Sequence, residues 1–486
     1  MRTNSVGNTL KHGGVEMNRI VRAGLAMALA LGFVLVACAA GKAPKYVFLF
    51  IGDGMSVPQR MLAEEFSRKA GEGPLALNAL PVQGMTRTCS ADSLVTDSAA
   101  AATAMACGVK TRNGVLGLDV DGKSVPSCAV AAKAAGRKVG ILTTVTLTHA
   151  TPAGFYAHRA HRGDTEGIAK DLADSGFDFF AGGGLAVRTD APYVYAAEKG
   201  YHIISNRTVF LALKSGCGKI LTRFTNGPLS YALDRKTPDA EPSLAELTQK
   251  AIDVLSGDAG FFMMIEGGRI DWAGHANDAA TNLRDVLALD EAVKVALAFL
   301  DRHPHDTLVV VTGDHETGGL SMGFADTGYA LYMERLAHQT MSVGVFDGLF
   351  RKMLKEKPLA TFQEVQPLVT RAFGLQFAPT PEKELAPLLL TAKEAEELQQ
   401  AFAHDKRLFA AQTRENASYD GPKTYLLGGA CRRILARKAG VGWTTGAHTA
   451  LPVLTTAKGV CAEAFAGFYE NTQIAHILRS FYTPVR

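Results

Sequence analysis

Several short stretches of the chain are continuously apolar: Tyr46–Ile51, Val139–Thr144, Phe177–Phe180, Phe261–Ile265, Thr307–Val311 and Pro452–Thr455. Runs of this length without polar alternation predict strands buried on both faces. Between several of them the apolar period lengthens to that of a helix. Ala99–Cys107 is rich in good helix formers and Cys128–Ala135 precedes the second run. Asn282–Arg302 carries Leu283, Val286, Leu287, Val293, Leu297 and Leu300 at helical spacing. Strands alternating with helices predict an α/β fold, a three-layer sandwich whose mainly parallel central sheet is covered on both faces.

The pattern changes between about Ser321 and Gly440, where the chain is helix-like and charged, as in Pro381–Arg407. This predicts a core over residues 46–325 that resumes at 441–486. The helical insertion between them, 326–440, would pack beside the core as a crown-like cap, a lid or an assembly surface.

Residues 1–37 form an N-terminal extension with a targeting signal, and residues 38–45, including Lys42–Lys45, a short tether. Arg19 and Arg22 precede an apolar run from Ala23 to Ala37, too short for a comfortable membrane span. Leu35-Val36-Ala37-Cys38 resembles a bacterial lipoprotein signal, in which the cysteine is lipidated and becomes the new first residue. The alternative is an ordinary secretory signal cut nearby, and Met17 could be the true start. Both place the mature chain outside the cytoplasm, in the periplasm or at the surface of a bacterium.

Composition narrows the function further. The 486 residues are 47% hydrophobic and 20% charged, with a formal charge of +4. Residues 1–37 hold Arg2, Lys11, Arg19 and Arg22 against Glu16; without them 47 basic and 46 acidic residues remain, a net +1. No domain-wide basic field exists to release counterions, which excludes a general polyanion binder. Six cysteines follow Cys38: Cys89, Cys107, Cys128, Cys217, Cys431 and Cys461. Outside the cytoplasm they permit up to three disulfides, although Cys107, on an apolar helix, also reads as a buried free thiol. No CxxC metal spacing occurs.

Four strands lead into polar clusters. Ile51 is followed by Gly52-Asp53-Gly54, and Thr144 leads to His149-Ala150-Thr151. Ile265 is followed by Glu266-Gly267-Gly268-Arg269-Ile270-Asp271, and Val311 by Thr312-Gly313-Asp314-His315. In a parallel sheet, ligands bind beyond the carboxyl ends of the strands, so these clusters should meet in space. One such ending is usually a turn rich in Gly and Asp; four in one chain point to a site.

The residue types suit divalent cations. Asp271 and His275, four apart, can share one face of a helical turn, and carboxylate with imidazole fits zinc. Asp314 and His315 are adjacent, and His448 in Gly446-Ala447-His448-Thr449 could complete a site. Glu266 and Thr151 are hard oxygen donors suited to magnesium. Thr96-Asp97-Ser98 precedes the Ala-rich helix, with Thr96 and Asp97 as natural N-caps and Gly108 as a stop. Ser98 then falls in the first turn, where free N–H groups and the positive dipole end favour a phosphate. Taken alone, this pattern is more often a capped core helix.

Together Gly52-Asp53-Gly54-Met55, Val95-Thr96-Asp97-Ser98-Ala99-Ala100, Cys107-Gly108-Val109-Lys110, His149-Ala150-Thr151-Pro152-Ala153, Glu266–Asp271 and Gly446–Thr449 resemble the alkaline phosphatase family. The likeness covers about residues 46–325 and resumes near 441. It implies a metal-dependent phosphomonoesterase with three cation sites. Asp271, His275 and His448 would hold one zinc ion, and Asp53, Asp314 and His315 a second beside Ser98. Asp53 would also bridge to a magnesium ion with Thr151 and Glu266, His149 lying at the same site. Ser98 would attack phosphorus and form a phosphoserine intermediate. Arg162 falls where the family places a guanidinium that grips two phosphoryl oxygens; the neighbouring Arg159 is the alternative.

Two departures stand out. His149 occupies a position that is aspartate in some members, and imidazole is a softer ligand, which leaves the third cation open. Trp272 stands where others often carry lysine or histidine, and could stack on an aromatic leaving group. The resemblance further implies small phosphate monoesters as substrates, no nucleic-acid-binding domain, membrane attachment only through Cys38, and a homodimer. The nearest rival chemistry, phosphodiester hydrolysis, is disfavoured by a guanidinium suited to two free oxygens. A sulfatase would need a formylglycine context that Asp97-Ser98-Ala99-Ala100 lacks, and a lipoprotein that only binds phosphate or metal would not need a nucleophile.

Overall fold

The protein is described by a computed structural model over residues 43–235, 241–415 and 425–482. The signal and Cys38 lie outside the described residues. The strands, in chain order, are β1 (Tyr46–Gly52), β2 (Val82–Arg87), β3 (Lys138–Thr143), β4 (Phe179–Ala181), β5 (Tyr201–Ile204), β6 (Lys219–Thr222) and β7 (Phe261–Gly267). They continue with β8 (Thr307–Gly313), β9 (Glu316–Thr317), β10 (Leu320–Met322), β11 (Val441–Trp443), β12 (His448–Thr449), β13 (Val453–Gly459) and β14 (Gly467–Glu470).

Ten of them build one sheet in the order β14-β2-β13-β8-β1-β7-β3-β4-β6-β5. Every pairing is parallel except those of β13, which lies antiparallel to β2 and β8. The four strands with polar endings, β8, β1, β7 and β3, are consecutive neighbours. Their register pairs Gly52 with both Gly267 and Gly313, so the polar loops leave the sheet at one level.

Alternation along these strands feeds two cores. On β1, Tyr46, Phe48 and Phe50 join one apolar cluster and Val47, Leu49 and Ile51 the other. Both faces are dry, as the unbroken apolar runs require. The insertion's helices Val343–Glu356, Phe362–Phe373 and Leu426–Ala439 place Phe346, Phe350, Phe373 and Leu427 in the first cluster. Their apolar faces are therefore continuous with the sheet's own core.

Helix ends follow local capping. Ser98–Cys107 begins where the Asp97 carboxylate accepts the Ala100 N–H at 2.9 Å, and ends at Gly108 with φ 73°. The helix expected from Asn282 starts at Ala279, because Asp278 accepts the Thr281 N–H. The charged stretch Pro381–Arg407 holds one short 3-10 turn at Ala386–Leu388 and is α-helical only from Ala392, running to Glu415. Thr391 and Glu394 form a reciprocal cap that fixes this start. Cys89, Cys107, Cys128, Cys217 and Cys431 are free thiols, and burial pushes Cys107 up to about 12. Among the described residues no helix is long and apolar enough to cross a membrane.

Candidate metal centre

The level carboxyl ends of β8, β1, β7 and β3 deliver the site. Asp53 follows β1, Glu266 lies in the last turn of β7, Asp314 and His315 follow β8, and His149 and Thr151 lie beyond β3. The helix Arg269–His275 adds Asp271 and His275 one turn apart. His448 arrives from the far end of the chain on β12, which pairs antiparallel with β9 so that His448 faces Thr317. Gly54 allows the turn after Asp53. Its φ is +70°, and a Cβ there would stand 2.7 Å from Thr317 Oγ1.

The side chains expected at the site converge. Asp271 Oδ2 lies 3.3 Å from His275 Nε2, Asp271 Oδ1 lies 3.5 Å from His448 Nε2, and the two imidazole Nε2 atoms are 3.1 Å apart. The other nitrogens of these rings are oriented by backbone carbonyls: His275 Nδ1 by Gly446 at 2.7 Å and His448 Nδ1 by Thr96 at 2.8 Å. His315 Nε2 stands 3.2 Å from Asp314 Oδ2, 3.4 Å from Asp53 Oδ1 and 3.2 Å from Ser98 Oγ. His149 Nδ1 is 3.7 Å from Asp53 Oδ2 and 3.9 Å from Glu266 Oε1, and Thr151 donates to Asp53 Oδ2 at 3.1 Å.

Among the described residues, three sets of donor atoms are each close enough to surround one ion: Asp53 with His149 and Glu266, Asp53 with Asp314 and His315, and Asp271 with His315 and His448. Buried Asp53 Oδ1, Asp314 Oδ2, Glu266 Oε1 and His149 Nδ1 have no hydrogen-bond partner. Orphaned buried acceptors of this kind are costly unless a cation satisfies them. The oxygen and imidazole donors fit divalent zinc and magnesium.

Electrostatics agree with this fit. Burial, reinforced by the carboxylates of Asp314, Asp271 and Glu266, holds Asp53 well above the usual carboxylate range. Burial also pushes Glu266 up to about 8. Burial opposes ionisation of Asp271, yet hydrogen bonds from His275 and His448 hold it well below the ordinary value. His149 falls to about 4 through burial and the nearby Arg162 charge. Divalent cations would reverse the first two shifts by supplying the missing countercharge.

Arg162 and Arg159 part company. Arg162 donates to Asp97 Oδ2 at 3.0 Å and lies 3.3 Å from His149 Nε2, at the mouth of the site. Arg159 is held by Asp171, at 2.9 Å through Nε, and by the Gly167 carbonyl, on the helix Thr165–Asp174. Trp272 meets His149 edge-on, ring centroids 6.0 Å apart, and the Arg269 guanidinium lies 4.9 Å from its ring.

The sequence reading missed the residues behind these groups. Thr317 Oγ1 donates to Asp271 Oδ1 at 2.5 Å and is 3.2 Å from His315 Nδ1. Thr143 donates to Glu266 Oε2. Buried Glu316 accepts from Gln59 at 2.6 Å, from the Gly319 and Leu320 N–H groups and from Thr449, bracing the ribbon that carries His448. The available signal was the polar run His315-Glu316-Thr317 directly after a buried strand.

The chain is similar in sequence and fold to known proteins. The alkaline phosphatase family's sequence model matches residues 44–178 and 186–483. Alkaline phosphatase 3 of Bacillus subtilis is 34% identical over 450 residues, spanning 89% of this chain and 87% of that protein. The alkaline phosphatase of Schizosaccharomyces pombe is 30% identical, spanning 90% and 81%. The crystal structure of a cold-active alkaline phosphatase from a psychrophilic Shewanella superposes with a TM-score of 0.75 at 29% identity, covering 90% of this chain and 100% of that one. That of Thermus thermophilus alkaline phosphatase gives 0.73 at 28% identity, covering 90% and 91%. The chain therefore belongs to the alkaline phosphatase family and is a phosphoric monoester hydrolase.

Proposed function

We propose that the chain cleaves phosphate monoesters through a phosphoserine on Ser98, beside a centre of two zinc ions and one magnesium ion. The observation that carries this reading is the placement of Ser98 Oγ. It opens a buried, capped helix and lies 3.2 Å from His315 Nε2, next to the orphaned Asp53 and Asp314 oxygens.

Asp271, His275 and His448 would hold one zinc ion, and Asp53, Asp314 and His315 the second. Asp53, His149, Thr151 and Glu266 would hold magnesium. A related alkaline phosphatase from the Antarctic bacterium TAB5, 25% identical, was solved as a histidine-to-glutamate mutant with Mg bound in its M3 site. Bound cations would neutralise the transferring phosphoryl group and acidify the serine hydroxyl and the attacking water.

The remaining steps belong to this chain's own groups. The helix N-terminus and Arg162 would orient the dianionic phosphoryl group, the planar guanidinium gripping two oxygens. Ser98 Oγ gives up its proton and bonds to phosphorus as the ester P–O bond breaks, and the departing alkoxide takes up one proton in exchange. Water then gives up a proton and attacks the phosphoseryl phosphorus in line, the Oγ–P bond breaks, Ser98 Oγ regains a proton, and inorganic phosphate leaves. Acid quenching during turnover of a labelled aryl phosphate should trap label on the Ser98 peptide. Ser98→Ala should abolish the label and slow hydrolysis by roughly 1,000-fold or more. Full turnover in that variant, or no label at Ser98, contradicts the mechanism.

The same reading places the mature chain outside the cytoplasm, anchored by a lipid on Cys38, as a homodimer whose 326–440 insertion serves as lid or assembly surface. Mass analysis of the mature N-terminus should find a diacylated Cys38; an unmodified N-terminus elsewhere overturns the anchor.

A further inference from the structure

We propose that Thr317 is a positioning residue linking two of the cation-holding groups: its hydroxyl orients the Asp271 carboxylate and keeps the proton of neutral His315 on Nδ1. The proposal rests on the metal-centre reading above and names a residue outside its ligand set.

A threonine hydroxyl carries a single proton and two lone pairs. Thr317 Oγ1 lies 2.5 Å from Asp271 Oδ1, and an ionised carboxylate can only accept. The hydroxyl proton is therefore directed at Asp271. His315 Nδ1 lies 3.2 Å from the same oxygen. That contact is a hydrogen bond only if the ring donates Nδ1–H to a lone pair of Oγ1. With the proton on Nε2 instead, Nδ1 and Oγ1 would face each other as two acceptors inside a fully buried pocket.

Neutral imidazole has one N–H, so donation from Nδ1 leaves Nε2 bare. Nε2 is the atom aimed at Asp314 Oδ2, Asp53 Oδ1 and Ser98 Oγ, and a cation binds through such a lone pair. The hydrogen bond from the second nitrogen selects the ligating tautomer and the ring's orientation. At Asp271 the same hydroxyl holds Oδ1, while Oδ2 faces His275 Nε2 at 3.3 Å. Thr317 also pairs through its backbone with His448 on the β9–β12 ribbon. One buried side chain thus touches both His315 and Asp271, two groups that already converge with His448. The close approach of Gly54, which leaves no room for a Cβ beside Thr317 Oγ1, keeps the hydroxyl in place.

Two variants separate the hydroxyl from the space it fills. Thr317→Val keeps the shape and removes the proton; Thr317→Ser keeps the proton. Zinc retained by each full-length protein against a graded chelator series should fall about 10- to 100-fold in Thr317→Val, the range for lost partners of ligating residues, and stay near the parent in Thr317→Ser. In the zinc-loaded parent labelled with 15N-histidine, the His315 signal, assigned by its absence from His315→Gln, should show a protonated Nδ1. This second readout needs no folded Thr317 variant. Equal zinc retention by parent and Thr317→Val, or a His315 proton on Nε2, overturns the role of Thr317. A parent that retains no zinc instead overturns the metal-centre reading itself.

Discussion

Arg162 Nη1 donates to Asp97 Oδ2 at 3.0 Å, while the other oxygen of the same carboxylate caps the helix that begins at Ser98. One aspartate thereby fixes both the nucleophile's helix and the guanidinium proposed to grip phosphate. The pair is partly exposed, so its orienting effect is worth about 1 kcal/mol or less. Asp97→Asn retains a competent cap and weakens the hold on Arg162. Inhibition by inorganic phosphate should weaken about fivefold with Tm unchanged, whereas Asp97→Ala should also lose about 1 kcal/mol of stability. Unchanged phosphate inhibition in Asp97→Asn would contradict this dual role.

Gly54 is a crowded position of the site with a left-handed backbone. Gly54→Ala must place a Cβ 2.7 Å from Thr317 Oγ1 and 2.8 Å from Asp271 Cα at a φ of +70°. Strain and clash together should lower unfolding free energy by about 2 kcal/mol or more, with reduced metal content per folded chain. Denaturant unfolding and metal analysis of the purified variant check both. Parent-like values in both measurements would show that the loop yields.

Asp285 supplies a pH signature away from the ligands. It lies buried near Arg269, Arg235 and Asp234, with the Ala232 N–H 3.4 Å away, and burial pushes it up to about 7. A carboxyl raised above its unfolded value stabilises the fold fully below about 4 and loses that contribution as pH rises through about 7. Asp285→Asn removes this titration. Relative to the parent, the variant should gain stability between pH 5 and pH 8, bounded by about 4 kcal/mol for the full shift. Urea midpoints at the two pH values measure the difference; a constant offset would rule the raised group out.

Trp272 presents an aromatic ring beside His149, with the Arg269 guanidinium 4.9 Å from it. If that ring receives the leaving group, Trp272→Lys should lower kcat/KM for aryl phosphates more than for alkyl phosphates, by about three- to tenfold, the size of one aromatic contact. An unchanged aryl-to-alkyl ratio would remove Trp272 from substrate selection.

The central strands were readable because burial on both faces keeps them largely apolar: β1 and β7 are apolar until the site begins, and β8 adds only the buried threonines Thr307 and Thr312. The loops that end them were readable for the same reason, since Asp53, Asp314 and His315 interrupt a dry core. Peripheral strands follow no such rule. β2 carries the exposed Gln83 and Arg87, and β14 is an exposed edge. The ribbon β9–β12 is two residues per strand, shorter than any periodic signal. The start of the helix at Ala392 depended on the Thr391–Glu394 cap rather than on the charge pattern. Gln59 and Thr317 escaped notice because their partners lie 257 and 46 residues away, a closeness that only the folded sheet creates.

Metal content and its link to turnover test the account at its centre. The purified chain, passed through metal-free buffer, should carry about three divalent ions, matching the three donor groups that meet beyond β8, β1, β7 and β3. Chelation should abolish phosphate-ester hydrolysis, and zinc with magnesium should restore it. A chain that turns over at full rate with less than one ion bound would contradict the account.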